Sequence, residues 1–169
     1  MHASMKRSAR AARIVLGLAV ALLAVPAAAE AQQYEQVISA NPFGLLLEFF
    51  NAEYERVVME STTAGVGGSY VSIDDDNYVN ADVFMRFYPQ GRPLDGWAFG
   101  AKAGITNVPD NGTFFGAGFD VNRSWLLGSN ENFYVGVGFG LKRLFGTGDA
   151  GFDVRFVPTI RLVNVGFAF

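Results

Sequence analysis

From residue 133 the chain reads Phe133-Tyr134-Val135-Gly136-Val137-Gly138-Phe139-Gly140-Leu141-Lys142. Phe, Val and Leu take the odd positions, while glycine, with one Tyr and one Lys, takes the even ones. A repeat of two is the side-chain period of a β-strand, whose successive residues point to opposite faces. The same alternation extends outward from this stretch. Phe115, Ala117, Phe119 and Val121 alternate with Gly116, Gly118, Asp120 and Asn122. Trp97, Phe99, Ala101, Ala103 and Ile105 alternate with a face that carries Gly100, Lys102 and Gly104. Val79, Ala81, Val83, Met85 and Phe87 alternate with Asn80, Asp82, Phe84 and Arg86. No helical period of comparable length occurs beyond residue 31.

The two faces differ in a way that narrows the architecture. A soluble β-sandwich would turn Thr, Lys and Glu to water on the face away from its core. Here that face carries glycine with a few charges, and the apolar face is aromatic and nearly uncharged. Glycine weakens a strand unless something must approach it closely. A narrow closed barrel supplies that reason, because its crowded inside forces small residues to share space with large ones. The uncharged outer face then needs a solvent other than water. The alternation therefore predicts an all-β fold, a closed antiparallel transmembrane β-barrel.

Turn-forming runs divide residues 32–169 into eight strand segments. The first hairpin closes either at Asn41-Pro42-Phe43-Gly44 or at Glu48 to Asn51. Later breaks fall at Met59 to Thr62, Asp74 to Asn77, Pro89 to Asp95, Asn107 to Gly112, Ser124 to Asn132 and Gly146 to Asp153. Strands of roughly ten residues cross a bilayer when tilted, and eight is the smallest usual number for a single-chain barrel.

The N-terminus is read separately. Lys6, Arg7, Arg10 and Arg13 precede the apolar run Ile14 to Val25, then Pro26 and the small-x-small triplet Ala29-Glu30-Ala31. This is the pattern of a secretory signal peptide over residues 1–31, too short to span a bilayer as a helix. The remaining 138 residues form the barrel domain, with nine basic and 15 acidic residues and a formal charge of −6. They include 24 aromatic residues, no Cys and no His, since His2 belongs to the leader. That excludes disulfides, imidazole or thiolate metal sites and an imidazole base, and no cofactor is expected. The acidic balance, without a basic stripe, argues against nucleic acid.

The last strand ends with Val163, Val165, Phe167 and Phe169 on one face and Asn164, Gly166 and Ala168 on the other. An alternating strand with a terminal aromatic resembles the C-terminal strand of Gram-negative outer-membrane proteins, which the barrel assembly machinery reads. Val165, Phe167 and Phe169 are the residues expected to carry that signal. A narrower resemblance rests on Asn41-Pro-Phe-Gly-Leu-Leu46, Glu53-Tyr-Glu-Arg56, Gly67-Gly-Ser-Tyr70, Ala81-Asp82, Arg86-Phe-Tyr-Pro89, Leu141-Lys-Arg-Leu-Phe145 and Pro158-Thr-Ile-Arg161. These stretches look like landmarks of a family of small eight-stranded outer-membrane barrels, OmpA-like or of the porin-superfamily type. The resemblance implies fold and location; no common activity comes with it. Relative to that family's usual ending, one extra apolar residue lies between Arg161 and Gly166. It moves Arg161 onto the outer phase, so a β-bulge is expected near Leu162-Val163. No soluble peptidoglycan-binding domain is expected after Phe169.

Alternation assigns Glu53, Glu55, Asp82, Arg86, Lys102, Asp120 and Lys142 to the inner face, four acids against three bases. They read as an interior network of opposite partners, because unpaired burial is costly; a gate or narrow ion path is the functional alternative. Glu53 and Glu55 share a face, yet no nucleophile accompanies them as it would in acid/base chemistry. Outer-membrane barrel enzymes mostly rely on His with Ser, Asp or Glu, so the chain is not expected to be an enzyme. Asp74, Asp75 and Asp76 form an acidic cluster in an outer loop, at the same end as Asp110, Asp149 and Asp153. The run lacks the Gly and distal Glu of a calcium loop and reads as a solvated turn. Trp97 and Trp125 lie toward the other end, where an aromatic girdle would sit.

These readings lead to an integral outer-membrane protein of a Gram-negative bacterium with a structural or surface role. It is expected to be a monomer whose partners are outer-membrane lipid and lipopolysaccharide, with the barrel assembly machinery during biogenesis. Two alternatives stand beside it. One is a small pore or hydrophobic-compound conduit, motivated by the glycine-lined interior. The other is a soluble periplasmic lipocalin-like barrel with the apolar face turned inward.

Overall fold

A computed structural model of the chain describes residues 34–46, 49–73, 76–108, 112–145 and 156–169. The signal-peptide reading, Asp74, Asp75, Asp110, Asp149 and Asp153 lie outside the described residues. The strands are β1 (Gln36–Ala40), β2 (Phe49–Met59), β3 (Thr62–Ile73), β4 (Asp76–Phe87), β5 (Gly96–Val108), β6 (Gly112–Leu127), β7 (Phe133–Phe145) and β8 (Phe156–Ala168). Each pairs antiparallel with the next, and β8 returns to β1, closing a barrel. One 3₁₀ turn, Pro42–Leu46, joins β1 to β2.

The period of two sets which side each residue faces. On β5 and β6, Phe99 lies opposite Val121, Ala101 opposite Phe119 and Ile105 opposite Phe115, all on the outer face. Gly100, Lys102 and Gly104 oppose Asp120, Gly118 and Gly116 on the inner one. Large apolar side chains stand exposed all round the outside, Phe119 at 58%, Phe139 at 55% and Phe167 at 63% among them. Outward cations at the two ends rest on aromatic rings, Arg123 over Trp125 and Arg143 over Phe145. The lipocalin-like alternative needs the reverse arrangement, with the apolar face inside.

Several sequence-based boundaries move. The first hairpin turns at Asn41–Leu46, because Phe49 to Asn51 already pair with Val71 to Ser69 in β2 and β3. Ser124 to Leu127, expected in a turn, continue β6 and pair with Gly136 to Phe133. Their alternation, with Ser124 buried and Trp125 outward, keeps the strand's phase through a stretch that Ser and Asn make look turn-like. Strand structure also reaches Asp76 and Asn77, and Asn107 and Val108. Near the end of the chain Gly136 opposes Asn164 while Gly138 opposes Arg161. Val137 alone therefore faces Leu162 and Val163, the two-against-one geometry of a β-bulge. The bulge returns Arg161 to the inside, where it is 6% exposed.

The core occupies the end of the barrel where β1 begins and β8 ends. Val37, Val57, Leu94, Tyr134 and Ala168 pack together there, with Tyr34 and Leu126 against them. Leu94 comes from the β4–β5 turn rather than from a strand. It has a positive φ of 64° and is fully buried, so the turn spends backbone strain to push a leucine into the barrel mouth.

Candidate functional site: the charged lumen

The inner face brings together all seven charged residues named from the sequence, and adds an eighth. Arg86, from β4, sits at the centre. Its Nη1 donates to Glu53 at 3.0 Å and also to Glu55, and its Nε lies 3.5 Å from Asp120 Oδ1. Its guanidinium also stacks 4.0 Å from the centre of the Phe84 ring. Lys102 Nζ approaches Asp120 Oδ2 at 3.1 Å and donates to Thr159 Oγ1 at 2.8 Å. Lys142, fully buried, pairs with Asp82. The eighth member is Arg161, whose Nη2 lies 3.1 Å from Glu53 Oε2.

With Arg161 inside, four acids face four bases. Burial of a charge is tolerated only when a partner offsets its desolvation, and the balanced count meets that condition for the group as a whole. An imbalance of four to three in the sequence was the available sign that a cation was missing from the inner set. The extra residue at Leu162-Val163 hid it by reversing the apparent phase.

The register explains how so much charge fits. Every one of the eight lies directly opposite at least one glycine on an adjoining strand. Glu53 faces Gly67 and Glu55 faces Gly65; Asp82 faces Gly104 and Arg86 faces Gly100. Lys102 faces Gly118, Asp120 faces Gly140, Lys142 faces Gly118, and Arg161 faces Gly138. Opposed Cβ atoms sit about 5 Å apart in such pairs, so a side chain on the glycine would occupy the path that the charged one takes across the lumen. A Cβ at Gly100 would meet Arg86 Cγ at 3.1 Å, one at Gly116 would meet Lys142 Cε at 2.8 Å, and one at Gly136 would meet Arg161 Nη1 at 2.9 Å.

Neutral groups complete the network. Thr63 Oγ1 and the Tyr88 hydroxyl both donate to Glu55 Oε1, at 2.6 and 2.7 Å. Tyr88 follows β4 directly. Burial first, and then the Glu55 carboxylate beside it, push its hydroxyl well above the ordinary tyrosine range. Asn122 donates to Asp120, and Arg161 Nη2 reaches Ser39 Oγ at 3.3 Å. Thr63, Tyr88 and Thr159 escape sequence reading because each shows its role only through a partner on a distant strand.

Above this floor, toward the end opposite the termini, lies a cavity of about 320 Å³. Its walls include Phe49, Asn51, Ser69, Val71, Tyr78, Asn80 and Thr106, and Glu53, Asp82, Arg86 and Lys102 form part of its base. Below the network, Tyr88, Tyr134 and Leu94 are fully buried. Among the described residues the lumen is thus layered: an apolar seal where β1 begins and β8 ends, an ionic layer across the middle and a chamber beyond.

Other residues singled out from the sequence lie away from the lumen. Phe167 and Phe169 are exposed on the outer face, with Val165 partly so. Phe169 N donates to Gln36 O at 2.9 Å, and Phe169 O accepts from Gln36 N at 3.0 Å. Phe167 packs edge-on against Phe133 at 6.2 Å. Asp76 opens β4. Trp97 is outward near the termini end, as is Trp125. Glu53 and Glu55 share Arg86 rather than facing each other across an opening, and the hydroxyls bonded to Glu55 are those of Thr63 and Tyr88. Compared with known proteins, the chain matches no family model, no curated relative and no solved structure.

Proposed function

We propose that this protein is an integral outer-membrane barrel of a Gram-negative bacterium with a structural or surface role and no catalysis. The observation that carries the reading is the reversal of polarity. Large apolar residues such as Phe99, Phe115, Phe119 and Phe139 are exposed on the outside, while Arg86, Glu55, Asp120 and Lys142 are buried within. In water that outer face would far exceed the few hundred Å² of apolar patch usual on a soluble monomer; in a bilayer it is the expected surface. The resemblance to small OmpA-like barrels, the leader pattern over 1–31 and the aromatic alternation of β8 support the same compartment. Lipid and lipopolysaccharide would surround the barrel, after delivery by the assembly machinery.

The test is gel mobility. Protein recovered from the outer-membrane fraction of a Gram-negative host should migrate faster unboiled than boiled. Recovery from the soluble periplasm without a mobility shift would end the reading. The pore alternative meets the sealed end: Leu94, Tyr134 and Tyr88 are fully buried below the ionic layer. Planar bilayers containing the pure protein should stay silent, and steady unitary currents would restore that alternative.

A further inference from the structure

The barrel wall is uneven, and the cavity lies beside its thinnest part. β1 has five residues, whereas β6 has 16. β1 pairs with β8 from Val37↔Ala168 to Ala40↔Val165 and then stops. Among the described residues, β8 from Phe156 to Asn164 has no paired strand on that side. β2 continues past the end of β1, with Phe49 still paired to Val71. The 3₁₀ turn Pro42–Leu46 lies between the two strands and packs against both. It is tied to β2 by Asn41 N, which donates to Asn51 O at 2.9 Å.

Three observations give this gap a meaning. Phe49 and Asn51 on one side and Val157 to Arg161 on the other all line the same cavity. Pro158 sits within the unpaired stretch of β8, and proline within a sheet is confined to edges and bulges. A strand edge at bilayer depth is tolerated only where protein covers it or where it lines a water-filled space. The 3₁₀ turn covers part of this edge, and the chamber, which Val157 to Arg161 line, supplies that space for the rest.

The lining also describes an occupant. Its upper walls are apolar, with Phe49, Val71, Tyr78 and Val157, and its base is polar. The base is internally neutral, four acids against four bases, so a charged head group would arrive without a free counter-charge. Yet hydrogen-bonding capacity remains. Asn51 Oδ1 and Arg161 Nε are buried without partners, one an acceptor and one a donor, and both residues line the cavity. The volume of about 320 Å³ is at the small end of ligand pockets.

We propose that the chamber is a binding site for a single-chain amphiphile with an uncharged, hydrogen-bonding head, entering from the bilayer through the gap between β8 and β2. The head rests on the Asn51–Arg161 side of the ionic floor, and the chain lies along Phe49, Val71 and Val157 toward the gap. The proposal rests on the outer-membrane reading above.

The test uses the folded protein in lipid nanodiscs with a diazirine-bearing monododecanoylglycerol, photolysed and mapped by peptide mass spectrometry. Adducts are expected on Phe49, Val71, Tyr78, Val157 and Thr159, saturating with probe. Excess monododecanoylglycerol should compete, whereas dodecanoate and dodecyltrimethylammonium should not. Val71→Trp, which fills the chamber, should cut lumenal labelling at least about tenfold, a loss of roughly 1.4 kcal/mol in affinity. Thr159→Tyr, at the gap, is the second variant should the first fail to show a heat-modifiable band. Labelling confined to outer residues such as Phe99 and Phe119, labelling proportional to probe, or equal competition by the charged amphiphiles would each overturn the proposal. A barrel that inserts but takes no lumenal label sinks this inference alone; a chain that does not insert sinks the reading beneath it.

Discussion

The two ends of the lumen are built by opposite means from the same eight strands. At the termini the wall is complete, and side chains fill the interior. Val37, Val57, Leu94, Tyr134 and Ala168 meet there, and the backbone of Phe169 is bonded to Gln36. At the other end β1 stops early, and a chamber remains above a layer of ion pairs set among glycines. An apolar plug requires only complementary volume. A charged layer requires each group to find its partner, and so it demands register, glycines and a bulge. One end is thus sealed by an apolar plug, while a balanced charged layer bounds the chamber toward the other.

The largest expected effect tests the boundary between the two halves. Arg86→Met removes the cation shared by Glu53, Glu55 and Asp120. Glu53 keeps Arg161 and Asp120 keeps Lys102, but Glu55 is left buried without its cation, which should cost about 3–5 kcal/mol, read by urea unfolding of the barrel in lipid vesicles. A loss below about 1 kcal/mol would mean that water reaches the layer and that the lumen is not divided as described.

Truncation should then separate the ends directly. Leu94→Ala opens space in a fully buried site and should cost about 2–4 kcal/mol. Val71→Ala only widens an existing chamber, so it should cost about 1 kcal/mol or less. Equal losses, measured in the same unfolding series, would erase the distinction.

A fourth substitution addresses the room that the charged layer needs. Gly100→Val would crowd both Arg86 and Asp120, and overpacking there should cost about 1–3 kcal/mol. Gly112, whose positive φ of 89° and open surroundings place it away from any such contact, is a control for glycine loss that involves backbone alone.

The smallest effect concerns pH. The Tyr88 hydroxyl is buried against Glu55, and its ionisation is displaced upward in the folded state. The folded protein therefore holds that proton more tightly than the unfolded chain, whose tyrosines ionise near about 10. The resulting stabilisation is complete below that value and declines as pH rises above it. Alkaline unfolding should show this decline in the native chain and less of it in Tyr88→Phe, with ordinary pH-independence below about 9. Identical alkaline slopes would remove Tyr88 from the sealed end's polar rim.

Much of this was legible without coordinates. Alternation at period two places Phe139 and Gly140 on opposite faces whatever the tertiary structure, because adjacent strand residues cannot share a face. It likewise assigned Glu53, Glu55, Asp82, Arg86, Lys102, Asp120 and Lys142 to one side. The pairing among them was not legible, since Arg86 and Glu55 are neighbours only once β2, β3 and β4 are in register. Arg161 shows the limit most clearly. Its side depends on a bulge, which changes the phase by one residue and leaves only an irregular apolar count in the sequence.

Local backbone geometry and side-chain polarity suffice for the barrel's strands, their two faces and an apolar outer surface. The layered lumen inside the barrel, by contrast, arises from long-range pairing. The length of β1 against β8, the glycine opposite every lumenal charge and the leucine driven in from a turn all depend on which residues meet across the barrel. Those meetings are set by the register of non-local pairs, and no local period carries that information.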